Sequence, residues 1–268
     1  MAGAEPGRAR HARGRSVLVY QCLVGVLLLA VWQSISGRLV KEMFVSTPAA
    51  VAREVVQLFL TGAIWVHLQT TLVEFAIGYL VGGVCGIALG VVLGRSAFVS
   101  AVAQPYIMAF YSIPKVALAP LFIIWFGIGI NSKIAMVASF TLFLVFVNTF
   151  FAIRSINEHF VNLALLMGAS RLAVLRRILF PSAAPGIMLG LRTSIPYGMI
   201  GAVVGEFIAS NRGLGFLIYS KSQLFDAAGM FAAILILVGI VVGLTQVVER
   251  LERRIVRWVR VEETRVAL

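Results

Sequence analysis

The chain has 268 residues, of which 60% are hydrophobic and only 13% are charged. Because a soluble domain carries about 25% charged residues, this composition excludes a water-soluble globular protein and indicates a polytopic membrane protein. The net charge of +12 would suggest nucleic-acid binding in a soluble protein, but in a membrane protein it is typical of basic segments on the cytoplasmic side.

The basic segment of residues 1–15 precedes an apolar run over residues 16–36. This run is longer than the hydrophobic region of a typical signal peptide, and no cleavage site of small residues closes it. We therefore expect a cytoplasmic tail followed by a first span that the protein retains.

The chain contains six apolar runs, each close to or above the roughly twenty residues that a bilayer requires. They predict an all-α membrane domain over residues 16–248 with about six transmembrane helices. An even number of spans places both termini on one side, and the distribution of arginines favours the cytoplasm for that side. The predicted spans are residues 16–36, 67–93, 98–126, 133–153, 186–210 and 227–248. A second basic cytoplasmic tail is expected at 249–268, where Trp258 would lie at the level of the lipid headgroups.

Between the first two spans, residues 48–60 predict a short amphipathic helix on the outer side. Thr47 is a candidate N-cap, Pro48 suits the first helical position, and Gly62 is expected to end the helix.

The second span carries glycines at four-residue spacing, which places them on one face of a helix. Small residues allow helices to approach closely in lipid, where no hydrophobic force draws helices together. We expect this face to pack against another span, either as a static contact or as the central helix of a moving bundle. The glycines are Gly78, Gly82, Gly86, Gly90 and Gly94.

The third span contains Pro105, Pro114 and Pro120, each of which removes a backbone donor and disfavours a straight helix. Such breaks persist at membrane depth where protein or a wet cavity satisfies the backbone, and broken helices line the solute site of many transporters. A kinked packing helix is an equally good interpretation. The candidate residues of a translocation path are Tyr106, Tyr111, Pro114, Lys115 and, in the fifth span, Glu206.

Two carboxylates lie within the predicted spans, Glu74 in the second and Glu206 near the outer end of the fifth. A charge at the bilayer centre costs about 2.5–3.5 kcal/mol on insertion scales, so such groups usually face the bundle interior and have partners. We expect an ion pair for each, with solute or proton binding as the alternative. The cysteines, histidines and carboxylates form no pattern that predicts a metal site, a disulfide or a catalytic centre.

A polar, basic segment of residues 154–186 lies between the fourth and fifth spans and is therefore predicted to be cytoplasmic. Residues 159–167 predict a short helix with one apolar side, and Gly168 is expected to end it. An apolar face on a cytoplasmic element favours docking into a partner's groove. The alternative is a loop that lies on lipid headgroups.

A second short helix is predicted directly after this one. Ser170 can cap it, and Pro181 and Pro185 are expected to stop it and to direct the chain back into the membrane. We expect this helix to brace the first.

This segment resembles the EAA loop in the permease subunits of ATP-binding-cassette importers. That loop has the pattern Glu-Ala-Ala, three residues, Gly, nine residues, Ile, one residue, Leu, Pro. Here Gly168, Ile178 and Pro181 keep the spacing. Asn162 and Leu163 stand in place of the glutamate and the first alanine, Ala164 matches the second alanine, and Phe180 replaces the leucine.

Most of the chain resembles the nitrate/sulfonate/taurine branch of this binding-protein-dependent family. The run IPKVALAPLFIIWFGIG at residues 113–129 is similar to a proline-rich segment of that branch, and GLRTSIPYGMIGAVVGEFIASNRGLGFLI at residues 190–218 is similar to its fifth span. The resemblance implies the type I importer permease fold, with the EAA-like loop forming a coupling helix. The coupling residues it implies are His159, Asn162, Leu163, Ala164, Met167, Gly168, Ala169, Ser170, Ile178 and Pro181.

The resemblance also implies partners: a second permease copy, two cytoplasmic ATPase subunits and an external solute-binding protein. ATP would bind to the ATPase, because this chain has no phosphate-binding GxxxxGK[ST] loop, and we expect no cofactor, metal or catalytic residue here. A nitrate-, sulfonate- or taurine-like anion is the favoured solute, and a heterocyclic vitamin precursor or an aromatic acid is the alternative. A scaffold or channel without energy coupling is the rival function, and a homodimeric permease pair is expected in this branch.

Overall fold

The computed structural model describes residues 6–38 and 41–257, with the backbone alone for residues 6–18 and Ala97. Residues 1–5 of the predicted first tail lie outside the described residues. So does the predicted second tail from Trp258 onward.

The described residues fold into helices joined by short turns, as the sequence predicted. The helices are α1 (Pro6–Ile35), α2 (Pro48–Leu60), α3 (Ile64–Gly94), α4 (Ala97–Ser112), α5 (Ala119–Phe126), α6 (Ile130–Arg154), α7 (Glu158–Leu166), α8 (Arg171–Val174), α9 (Phe180–Ala209), α10 (Leu214–Gln223) and α11 (Ala227–Ile255). A 3-10 turn, Lys115–Leu118, precedes α5, and a π-helical turn, Leu175–Leu179, joins α8 to α9. The chain forms two compact units, one of Met1–Ala63 with Ile218–Ile234 and the other of Ile64–Leu217 with Leu235–Leu268.

Within the described residues, four helices are long and apolar enough to cross a membrane: Ile64–Gly94, Ile130–Arg154, Arg171–Ala209 and Ala227–Ile255. Two further helical segments, Phe98–Ser112 and Lys115–Phe126, are bent by 78° relative to each other. Taken together as one broken span, they make a fifth. The predicted first span falls on α1, whose described apolar part, Val19–Ile35, is shorter than a full span.

The third predicted span is broken at one of its three prolines. α4 ends at Ser112 with Pro105 inside it, and the bend lies at Pro114. Pro120 lies in the first turn of α5, where its missing N–H removes no intrahelical bond. The expectation that each proline disturbs the helix was therefore wrong for Pro120.

The second unit is built around α6, which packs against both α3 and α9. All five glycines of the predicted stripe on α3 face α6. A Cβ on Gly86 would lie 2.6 Å from the Leu142 carbonyl oxygen, and a Cβ on Gly90 would lie 2.6 Å from Thr149 Cβ. Any larger side chain on this face therefore forces the two helices apart.

A second glycine stripe, on α9, also faces α6 and was missed from the sequence. A Cβ on Gly186 would lie 2.5 Å from Ala152 Cβ, and a Cβ on Gly205 would lie 2.8 Å from the Lys133 side chain. The same stripe includes Gly190, Gly198 and Gly201. The sequence did carry a signal for this stripe. Its glycines are spaced by three, four or eight residues, and these intervals keep residues on one face of a helix.

The predicted stop at Pro181 and Pro185 was wrong, because the chain is helical without interruption over Arg171–Ala209. In the π-helical turn, the Phe180 N–H donates to the Leu175 carbonyl, five residues earlier. A π turn widens the helix locally. This turn directly precedes Pro181, whose ring in a regular α-helix would clash with the carbonyl four residues before it.

In the first unit, α2 begins and ends where the sequence predicted. The Thr47 side chain accepts a hydrogen bond from the Ala50 N–H at 3.2 Å, and Pro48 is the first helical residue. Gly62 has a positive φ of 73°, a conformation that ends a helix with little strain in glycine.

The same unit contains a partly exposed ion cluster. Lys221 Nζ donates to Asp226 Oδ2 at 2.7 Å and to Glu54 Oε1 at 3.1 Å. Burial lowers the pKa of Lys221, but its hydrogen bonds to the two carboxylates outweigh burial and leave this pKa raised. Burial raises the pKa of Asp226, whereas its hydrogen bonds with Lys221 and Gly229 outweigh that and leave it lowered.

Candidate functional site

α7 is a nine-residue helix capped at its start by the residue that precedes it. The Asn157 side chain accepts a hydrogen bond from the His159 N–H at 2.9 Å. Glu158 lies in the first turn, where a negative charge interacts favourably with the helix dipole. The observed helix begins and ends one residue before the predicted bounds of 159–167.

Gly168 ends α7 with a Schellman motif. The Gly168 N–H donates to the Leu165 carbonyl at 3.0 Å, and the Ala169 N–H donates to the Ala164 carbonyl at 3.0 Å. Gly168 has a φ of 86°, which side chains with a Cβ rarely adopt. Ser170 then caps α8 by accepting a hydrogen bond from the Ala173 N–H at 3.2 Å. These bonds fix the direction of α7 relative to the start of α8.

One side of α7 packs on the ends of the membrane helices. Val161, Ala164 and Ala169 contact the buried cluster that includes Ile153 and Val174. Ile178 contacts the same cluster from the π-helical turn, and Pro181 is half-buried. The motif positions Ala164, Ala169 and Ile178 therefore meet in one apolar cluster.

The opposite side of α7 presents apolar side chains to solvent, and we name it the docking face. Leu166 is 85% exposed and Met167 is 79% exposed. The docking face consists of Phe160, Leu163, Leu166 and Met167. The polar motif residues His159, Asn162 and Ser170, like Gly168, are also exposed. Large apolar side chains that stay exposed together on a fixed element are typical of a protein-binding surface.

At the other end of the same bundle, Glu74 and Glu206 are buried side by side, with exposures of 2% and 0%. The two carboxyl groups lie close enough to interact electrostatically, and Glu74 Oε2 is buried without a hydrogen-bond partner among the described residues. In the described part of the chain neither carboxyl forms an ion pair, because the buried Lys133 donates instead to the Ala209 carbonyl at 2.6 Å. The ion pairs predicted for both carboxylates were therefore wrong. We name Thr71, Glu74, Lys133 and Glu206 the carboxyl cluster.

The carboxyl cluster holds the turn between α9 and α10. Thr71 Oγ1 donates to Glu206 Oε1 at 2.6 Å and accepts from the Leu214 N–H at 2.8 Å. The Gly215 N–H donates to Glu206 Oε2 at 2.5 Å. Gly213 has a φ of 108°, and a Cβ there would collide with the Glu206 carboxyl group. The Gly-Leu-Gly sequence thus lets the backbone approach a buried carboxyl.

A cavity of about 660 Å³ lies between the bent third span and α6. Lys115 Nζ lies 4.2 Å from the centre of the Phe143 ring and 5.8 Å from that of Tyr111. The cavity lining also includes Phe110, Phe122, Phe126, Asn131 and Ser139. A cation over an aromatic face is attracted by the ring's quadrupole, so Phe143 holds the lysine at the cavity wall.

The sequence matches the family described as the binding-protein-dependent transport system inner membrane component, over residues 82–257. The chain belongs to this family. It is 36% identical to the riboflavin transport system permease protein RibX of Chloroflexus aurantiacus, over 87% of each chain. It is 29% identical to the taurine transport system permease protein TauC of Escherichia coli, over 93% of this chain and 92% of TauC.

The fold is that of type I importer permeases. A chain of the MetNI methionine ABC transporter superposes with a TM-score of 0.64 at 20% identity, over 72% of this chain and 98% of that chain. The predicted family and fold are both confirmed. The permease is thus a multi-pass inner-membrane protein and not an enzyme: it works with a solute-binding protein and with an ATPase subunit that hydrolyses ATP.

The candidate translocation residues of the permease do not form one site. Lys115 lines the 660 Å³ cavity, and Tyr111 lies beside it. Tyr106 and Pro114 do not line this cavity, and Glu206 is buried in the carboxyl cluster. The sequence did not point to Phe143, since one phenylalanine in an apolar span carries no signal of its own.

Proposed function

We propose that this permease imports a small organic anion and that α7 is its coupling helix, docked in a groove of the cytoplasmic ATPase. Both termini then lie in the cytoplasm, two identical permease copies form the pathway, and ATP binds only to the ATPase pair. The observation that carries the proposal is the docking face, a row of exposed apolar side chains on a helix fixed at both ends.

The packing of α7 supports a role in transmitting movement. Val161 and Ala164 contact the same cluster as Ile153 at the end of α6 and Ala183 in α9. Closure of the ATPase dimer would push α7, and α7 would push these helix ends. Because glycine contacts join α6 tightly to α3 and α9, the push reaches all three helices as one body.

The charge distribution supports the orientation. Arg154, Arg171, Arg176 and Arg177 flank α7 along the chain, and arginines in short loops favour the cytoplasmic side.

A substitution on the docking face tests the coupling proposal. Leu166→Asp places a charge on the helix without disturbing its packed side, so we expect the ATPase to co-purify poorly and uptake to fall at least tenfold. Leu60→Asp is the matched control, since Leu60 is 82% exposed on α2. Normal co-purification and normal uptake with Leu166→Asp would show that α7 is not the coupling helix.

The 660 Å³ cavity supports an anionic solute. Lys115 is the sole charged residue among its described lining residues, and its volume is within the usual range for small-molecule sites, about 300–1,000 Å³. TauC is named for taurine, a small solute that carries a sulfonate anion group. The phenylalanine lining favours a second candidate, a flat heterocycle, and RibX is named for riboflavin.

Uptake by the reconstituted importer separates the two candidates. If the solute is an anion, Lys115→Gln should reduce uptake at least tenfold, whereas Lys115→Arg should retain most of it. Equal uptake by both variants would favour the heterocycle. Mass spectrometry of the ligand retained by the cognate binding protein identifies the solute independently.

A further inference from the structure

A second cavity, of about 530 Å³, lies beside α7 on the side away from the docking face. Three arginines from different elements line it: Arg95 after α3, Arg154 at the end of α6 and Arg171 at the start of α8. Glu158 is the one carboxylate among the described residues that line it. We name this the arginine cavity.

Helix packing brings the arginines together. Gly94, the last residue of α3, packs on Ile153, where a Cβ would lie 2.9 Å from the isoleucine side chain. Arg95 directly follows Gly94 in the sequence, and Arg154 directly follows Ile153. Because Gly94 and Ile153 are in contact, the two arginines lie at the same level of the bundle. The Ser170 cap starts α8 and thereby fixes the backbone at Arg171.

The arginine cavity has an excess of positive charge. Glu158 Oε1 pairs with Arg154 at 3.3 Å. Neither Arg95 nor Arg171 forms an ion pair with a carboxylate over residues 6–38 and 41–257. Asn162 also lines the cavity, at the motif position where a glutamate would have supplied a second negative charge. Two guanidinium groups are thus available, and their planar forks match the oxygens of a phosphate.

Apart from Ser96, the rest of the lining is apolar and lies at the end of the membrane spans. Val92 comes from α3, Ile153 from α6 and Leu165 from α7, with Val174 and Leu179 from the start of the Arg171–Ala209 helix. A soluble anion needs no apolar wall, whereas a phospholipid has glycerol and acyl carbons directly next to its phosphate.

We propose that the arginine cavity binds the phosphate of an anionic phospholipid, with Arg95 and Arg171 as the main contacts. The lipid would fill the space behind α7 and brace this helix against the ends of α3 and α6. The proposal requires the membrane-embedded fold and does not depend on which solute is carried or on whether α7 docks the ATPase.

Titration of the full-length permease with phosphatidylglycerol in detergent tests the proposal, with bound lipid counted by native mass spectrometry. Each arginine near a membrane surface contributes about a fivefold change in affinity for anionic lipid, so Arg95→Gln/Arg171→Gln should bind about 25-fold more weakly. Arg177→Gln is the matched control, because it removes the same charge from the same segment outside the cavity. We expect it to bind like the wild type.

A second variant keeps every arginine in place. Asn162→Glu adds a carboxylate to the cavity lining and should weaken phosphatidylglycerol binding about fivefold, whereas Asn162→Gln should leave it unchanged. Because this readout contains no ATPase and no solute, Leu166→Asp should bind lipid normally even if it abolishes docking.

Two results would overturn the proposal. One is wild-type affinity in both the double arginine variant and Asn162→Glu. The other is displacement of phosphatidylglycerol by an equal concentration of inorganic phosphate, which would make soluble phosphate the ligand. Preference for phosphatidylglycerol over phosphatidylcholine, with no effect of inorganic phosphate, supports the lipid.

Discussion

The two ends of the α3–α6–α9 bundle are built in opposite ways. At one end, α7 exposes apolar side chains and is held by hydrogen bonds between residues two to five positions apart. At the other end, the carboxyl cluster buries polar side chains and joins Thr71 to Glu206, which are 135 positions apart. The first arrangement leaves a surface open for a partner, and the second ties Thr71 and Glu206 to the Leu214 and Gly215 backbone within the chain.

The difference indicates what each end does during transport. In the proposed docking, a preformed α7 would lose little conformational entropy, so the ATPase would bind it without refolding it. The carboxyl cluster instead holds the Gly213–Gly215 turn in one conformation, since a buried polar group without a partner is costly. We therefore expect substitutions at α7 to affect coupling and substitutions in the carboxyl cluster to affect stability.

The largest effect is expected for Glu206→Ala. This change leaves the Thr71 hydroxyl and the Gly215 N–H without their acceptor, at about 1–3 kcal/mol for each buried donor. The free energy of unfolding should fall by about 2–6 kcal/mol, and the turn between α9 and α10 should exchange its amide hydrogens faster. Thermal unfolding and hydrogen exchange in detergent measure both changes.

Glu74→Gln is the matched control for that substitution. A glutamine amide has nearly the size and shape of the Glu74 carboxyl group and can donate to Glu206, so the unfolding free energy should change by less than about 1 kcal/mol. A larger loss for Glu74→Gln than for Glu206→Ala would show that Glu74, and not Glu206, organises the cluster.

A smaller effect on stability is expected at the end of α7. Gly168→Val forces a β-branched residue into a left-handed conformation, at about 1–2 kcal/mol, whereas Gly168→Asn is tolerated because asparagine adopts this conformation more readily. We expect the valine variant to fold but to lose most ATP-coupled uptake, since α7 no longer ends in its Schellman motif. Uptake assays alongside thermal unfolding separate these effects, and normal uptake would contradict the role given to Gly168.

The smallest effect concerns pH and the Lys221 cluster. The pKa of Asp226 is lowered from 3.8, so its contribution is present above pH 3.8 and is lost as the pH falls further. The pKa of Lys221 is raised from 10.5, so its contribution is present below pH 10.5 and is lost as the pH rises further. Because the side chains are partly exposed, no more than about 1 kcal/mol is involved.

Thermal unfolding across the pH range measures this contribution. Lys221→Met should remove the alkaline loss and should leave the effects of Glu206→Ala unchanged. A Lys221→Met protein with an unaltered alkaline profile would assign that loss to other groups.

The sequence by itself determined the features that depend on neighbours along the chain. The apolar runs located the membrane helices, the basic segments indicated a sidedness, and the caps at Thr47, Gly168 and Ser170 all occur where the residue types favour them. These interactions span three to five residues, so the residues that make them are visible together in the sequence. The spacing from Gly168 to Pro181 likewise pointed to the family.

The tertiary structure alone decided what depends on distant residues. It buried Glu74 near Glu206 where ion pairs were expected, set the α9 glycines against α6, and placed Arg95 beside Arg154. It also carried the helix through Pro181 by means of the π-helical turn. All four features depend on which helix faces which. In lipid, the pairing of helices follows from close packing of small residues and from buried hydrogen bonds. The apolar composition of a span reveals neither of these.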